Sequence, residues 1–245
     1  MHRLILSSST YQQASNFTNV ANHKKDPQNQ LLWKMPLQRL EGEIIRDSIL
    51  AVSGGLNLKV GGPGVFPEVD AGLIEGSPKE NPAFLYQRWP VTKDGPELWR
   101  RSIYVTQMRT VTAPIMDLFD PPDFVTSCPK RNATTVAPQA LQLLNNKLVM
   151  GQSALFAERL RNEVGKDTLQ QIDRAFRLSY GRPPDVMEMQ VSQSFLKKQA
   201  AYHQGLAAKL QEQGVDPAEI PEPDKAALVD LCHSLFNSNE FVYVN

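Results

Sequence analysis

Between Gly54 and Leu98 the chain cannot hold a long helix or a central strand. Eight of its fourteen glycines and six of its eighteen prolines fall in that stretch. Glycine loses the most backbone freedom on ordering, and proline removes a donor and fixes φ. The stretch therefore reads as one long Gly/Pro-rich irregular loop, with a single short strand near Phe84-Leu85-Tyr86. Gly61-Gly62-Pro63-Gly64 is not a phosphate loop, because no Gly-Lys-Ser/Thr follows and no strand–turn–helix context surrounds it.

On either side the pattern is helical. Residues 2 to 15 read as a helix with Leu4, Ser8 and Tyr11 on one face. Leu31-Leu32-Trp33 reads as an apolar anchor before a second helix, with Pro36 in its first turn. There Leu37, Leu40, Ile44 and Ala51 form a stripe, with Ile45, Ile49 and Val52 beside it. Arg39, Glu43, Arg46 and Asp47 recur at helical spacing on the other side and read as a solvated, salt-bridged face. Gly54-Gly55 ends this helix.

Past the loop, Arg101 to Arg109 alternates like a strand, and a helical turn around Ile115 to Phe119 stops at Pro121-Pro122. Ala137 to Leu144 starts a helix with Leu141 and Leu144 facing inward. Another runs to about Asn162. Asp167 caps a helix ending at Gly181, and Asp185 opens one reaching Gln213. Asp224 caps the next, and Asn237 with Glu240 has capping-box spacing. The fold class is mainly α: a single helical domain over 1–245 with a small β element. Its sub-regions are 1–53 helical, 54–98 loop, 99–145 a motif core and 146–245 helical.

Charge narrows the partners. Lys plus Arg and Asp plus Glu number 26 each, so no global field draws in nucleic acid or anionic lipid. No apolar run approaches the ~20 residues of a membrane span. The opening apolar run is too short for a signal peptide, so on its own terms the chain reads as cytoplasmic. Cys128 and Cys232 belong to no metal or haem spacing and read as small buried hydrophobes.

The residues that could carry chemistry crowd between Trp99 and Asn145. Asp120 and Asp123 flank two prolines. They could divide acid and base roles on a sugar, or hold calcium. They could also pair with Arg101 and Arg131 to pin an irregular segment to the core, which is the preferred reading. Tyr104 reads as a core tyrosine with a satisfied hydroxyl. Cys128 has no sequence-near histidine, since His2, His23, His203 and His233 are scattered. Trp33, Trp89 and Trp99 could stack sugars, but core use fits a helical domain better. The candidate polar site is thus Arg101, Tyr104, Asp120, Asp123 and Arg131, with no metal.

Arg101-Ser102-Ile103-Tyr104, Pro114, Met116, Phe119-Asp120, Pro122-Asp123, Cys128, Arg131 and Pro138-Gln139-Ala140-Leu141 together resemble a known family. So do His2-Arg3-Leu4-Ile5, Asp26-Pro27, Leu31-Leu32-Trp33, Arg39-Leu40-Glu41 and Ile45-Arg46-Asp47 earlier on, and Leu231-Cys232 through Val244 at the end. The family is the C-terminal domain of unknown function 1553 of planctomycete-type bacterial proteins. Gln13 departs from its pattern, where arginine is usual, as does Asn245, where an acidic residue is common.

The resemblance implies an exported, multidomain protein with an upstream domain and often a c-type cytochrome module. Met1 falls where the family pattern is already inside a helix, so an N-terminal truncation is expected. Haem is expected only in such a partner domain, with no cofactor in this chain. The family supplies no catalytic residues. The expectation is a non-catalytic binding or assembly module. The alternative is a carbohydrate-active enzyme using Asp120 and Asp123.

Overall fold

The computed structural model describes residues 1–15, 17–69, 89–108, 113–122, 127–129, 131, 134 and 137–244. The fold is mainly helical with one small antiparallel sheet. Phe84-Leu85-Tyr86 and Asp123 lie outside the described residues.

The core is built by α3 (Gly42–Ser53), α6 (Lys147–Val164), α7 (Thr168–Tyr180) and α9 (Pro223–Phe236). Ile45, Ile49, Phe156, Leu160, Ile172, Phe176, Leu228 and Phe236 bury together. Phe156 stacks on Phe236 with ring centroids 5.5 Å apart. The long helix α8 (Val186–Glu212) lies along α9 and contributes Leu196. Local chemistry sets most helix starts. Asp167 and Asp185 accept from first-turn N–H groups, and Asp185 with Glu188 forms a full capping box. Asn146 caps α6 directly after α5 (Ala137–Asn145).

The N-terminal segment departs from expectation. Its first helix, α1, is His2–Leu6, far shorter than 2 to 15, and a second, α2, is Val20–Lys25. Pro36 does not start a helix. Instead β1 (Gln38–Arg39) pairs antiparallel with β2 (Tyr243–Val244), tying the segment just before α3 to the last described residues. The helix begins only at Gly42, where a Cβ would stand 3.0 Å from Phe119 Cβ and 3.2 Å from the Ile115 carbonyl, so the close approach favours glycine. Leu31 and Leu32 are exposed rather than anchoring. On α3 the buried side runs through Ile45, Arg46, Ile49, Leu50 and Ser53, leaving Ile44 out.

Further corrections come from packing that local pattern cannot register. Residues 102–104 form a 3-10 turn, Val105 makes only an isolated bridge to Val65, and α4 is the short helix Pro114–Asp117. In α5, Leu143 and Gln139 are buried, whereas Leu141 and Leu144 face outward. The N-cap of α9 is Glu222, with Pro223 as first helical residue. Ser238 caps α10 (Asn239–Val242), its side chain accepting from Phe241 N, while Arg182 holds Glu240 at 2.6 Å.

Candidate functional site

The charged side of α3 and β1 is a set of struts to the motif core rather than a solvated face. Arg46 is buried. Its Nη1 donates to the Arg100 carbonyl at 2.8 Å and to Ser102 Oγ at 3.1 Å, and Nη2 donates to the Leu98 carbonyl at 2.7 Å. Burial pushes its pKa down to about 10, against the opposing pull of Asp47. Asp47 accepts from Ser102 N at 2.7 Å and Ser102 Oγ at 2.6 Å.

One turn back, Glu43 takes Arg131 bidentately at 2.6 and 3.0 Å, and Glu41 takes it at 2.7 Å. Burial works to raise the Glu43 pKa, but the hydrogen bond and charge of Arg131, with a backbone hydrogen bond, bring it below its ordinary value. Arg131 is raised in turn, mainly by its hydrogen bond to Glu43.

The third strut is Arg39. Its Nη2 donates to Asp120 Oδ2 at 2.6 Å, and its guanidinium lies 5.0 Å from the Phe119 ring centroid. Thr134 completes the shell, donating its N–H to Asp120 Oδ2 at 2.8 Å and its hydroxyl to Oδ1 at 2.9 Å. Asp120 has φ of 53°, a conformation that aspartate tolerates better than most side chains. Gln139 Nε2 donates to the Leu118 and Thr134 carbonyls and holds the same turn from α5.

The structure therefore assigns new partners to the expected residues. Asp120 meets Arg39, not Arg101 or Arg131, and Arg131 meets Glu41 and Glu43. Arg101 is exposed, and no described ion pair engages it. Tyr104 accepts from Gly61 N at 2.8 Å, and its ring carries the Arg100 guanidinium at 3.6 Å. Arg100, buried and not singled out by sequence, donates to the carbonyls of Lys59, Gly61 and Pro63 and so fixes the start of the loop. Arg39, Arg46 and Asp47 stood in the family-like motifs. Their spacing on one side was the signal, and it was compatible equally with water or with a covering segment.

The tryptophans do not share a surface. Trp33 donates its indole N–H to the Asp26 carbonyl, Trp89 to that of Pro67, and Trp99 to Asp94 Oδ1, each within its own loop. Cys128 is exposed rather than buried, whereas Cys232 is fully buried, and burial raises its pKa. Among the described residues no His, Cys, Asp and Glu cluster could hold a metal ion. No helix among them is long and apolar enough to cross a membrane. A cavity of about 690 Å³ opens between α6, α7, α8 and α9, with Arg161, Lys166, Lys197 and Glu222 at its rim and Leu196 and Leu228 in its floor. Asp120 and Arg131 do not line it.

With both Asp120 oxygens engaged, the carboxylate acts chemically as an anchor that holds Thr134 to β1. Its described partners are the Arg39 guanidinium and the backbone and hydroxyl of Thr134. No curated protein and no solved structure matches the chain. Residues 1–196 match the model of PSD1, a protein of unknown function (DUF1553), and with most of its length inside that match the chain belongs to this family.

Proposed function

We propose that the chain is a non-catalytic binding or assembly module of an exported, multidomain protein of planctomycete type. Its partners are an upstream domain and a c-type cytochrome, and any haem resides in that partner. The observation that carries this reading is the engagement of both Asp120 oxygens by the fold itself. Arg39 and Thr134 take both of its oxygens at 2.6 to 2.9 Å, so the best-placed carboxylate of the motif core serves the fold. A second support is the N-terminal segment, where Leu4, Val20, Leu31 and Leu37 stand exposed. Apolar surface of that kind suits contact with another domain.

Co-purification of the chain with its upstream domain, and separately with the c-type cytochrome, tests the proposal. Recovery of either at stoichiometric level supports it. Recovery of neither removes its basis. A parallel melt with calcium and a glycan panel addresses the carbohydrate-active alternative. A rise in midpoint that disappears in Asp120→Asn would favour that enzyme and count against the module.

A further inference from the structure

Residues 26–34 form a tight loop whose construction turns its one carboxylate inward and its leucines outward. Asp26 is 9% exposed. Its Oδ1 accepts from Gln30 N at 2.9 Å and its Oδ2 from Leu31 N at 2.7 Å. Its carbonyl accepts the Trp33 indole N–H at 3.0 Å. Asn29 closes the other side, donating from Nδ2 to the Lys34 carbonyl at 2.8 Å and accepting from Lys34 N at 3.3 Å. The chain turns at Asn29 and Leu32, with φ of 55° and 52°. Asparagine tolerates that conformation, whereas leucine takes it only where the surrounding structure imposes it. The result is a pair of adjacent leucines at the tip, Leu31 83% and Leu32 51% exposed. A loop that met only water would gain nothing from holding two leucines in this way.

The surroundings of the tip say what it meets. Trp33 is half-buried, edge-on to Phe17 with ring centroids 6.3 Å apart, and Lys34 Nζ lies 5.1 Å from its own ring centroid. Helix α2 ends at Lys24 and Lys25, both exposed, directly before Asp26. The whole chain is neutral, but residues 1–37 carry four Lys and Arg against one Asp. That one is Asp26, whose oxygens are taken up by N–H groups inside the loop. The charge left on the surface here is positive. An apolar tip, an aromatic pair and a collar of lysines repeat the layers of a bilayer surface: acyl chains, the interfacial zone that Trp favours, and anionic headgroups. Lysine stems pass along apolar neighbours and keep their ammonium groups at headgroup level. A bilayer opens around a convex tip, whereas a protein would have to offer a matching hollow.

From this we infer that the 26–34 loop is a peripheral anchor for an anionic lipid bilayer, with Leu31 and Leu32 among the acyl chains and Lys24, Lys25 and Lys34 at the headgroups. The inference goes beyond the module reading, and Leu4 and Leu37 remain for contact with another domain.

Flotation of the 245-residue chain with lipid vesicles tests it. The chain should float with vesicles of equal parts phosphatidylcholine and phosphatidylglycerol, and stay behind with phosphatidylcholine alone. Added salt should weaken the binding. Leu31→Asn combined with Leu32→Asn should weaken it at least about tenfold. The thermal midpoint of that variant should not fall, because asparagine suits the positive φ at position 32. Lys24→Gln with Lys25→Gln should also weaken binding and flatten its salt dependence. In a Cys128→Ser background, an environment-sensitive dye on Leu31→Cys should shift to the blue when the anionic vesicles are added. No flotation with those vesicles overturns the proposal and leaves the loop to a protein partner. Flotation that survives loss of both leucines overturns it too, by placing the lipid contact elsewhere on the chain. Equal flotation with phosphatidylcholine alone overturns the role given to the lysines.

Discussion

Asp120 and Arg39 stand 81 positions apart in sequence and meet at 2.6 Å. This contact joins the motif turn to β1, which is itself paired with the C-terminal strand. The Arg39 side chain is 5% exposed and that of Asp120 20%, so the guanidinium has almost no water to fall back on and the carboxylate has little.

Removing one partner should therefore cost more than removing both. Asp120→Asn tolerates the positive φ but leaves Arg39 without a counter-charge, and a loss of about 2–3 kcal/mol is expected. Arg39→Met combined with Asp120→Asn should recover part of it. Urea unfolding of the two single variants and the double variant measures the coupling. Strict additivity would show that the pair does not act as a unit.

Acid should loosen the struts. Arg182 lowers Glu188 chiefly through its hydrogen bond, against a smaller effect of burial. Glu43 is lowered by Arg131 despite a larger opposing effect of burial. A depressed carboxyl contributes stability that is fully present above the unfolded value of about 4.3. That contribution disappears as pH falls through the lower folded value. Urea midpoints should thus hold from neutrality to near that value and then drop. Glu43→Gln and Glu188→Gln should each be less stable at neutral pH and flatten the acid limb.

Two glycine substitutions in helices should have opposite signs. Gly42→Ala forces a Cβ against Phe119, Ile115 and Met116, two of those contacts being backbone atoms. A net loss of about 1 kcal/mol is expected even after the gain in helix propensity. Gly151→Ala, exposed in α6 with nothing within 4 Å of the new Cβ, should gain up to about 1 kcal/mol. Thermal midpoints read both.

The thiols should separate cleanly. Cys128 is exposed and Cys232 fully buried with its pKa raised by burial. A colourimetric thiol reagent should therefore label one site in the native chain and two in denaturant. Rapid labelling of both in the native state would contradict the packing of α9.

The sequence by itself determined the elements whose causes are local. Asp167 and Asp185 cap the helices that they precede, and Gly54 and Gly181 end theirs with positive φ. These signals work over a few residues and need no knowledge of what lies opposite. The tertiary structure alone decided the fate of the charges. Arg39, Glu43, Arg46 and Asp47 have the spacing of a solvated face, and only their contacts with Leu98, Arg100, Ser102, Asp120 and Arg131 drew that face into the fold. The same holds for Asp120, whose partner lies in β1 and not in the nearer arginines. Side-chain pattern records which residues share a face. Whether water or another segment covers it depends on contacts far along the chain, where apolar burial and charge pairing are settled together.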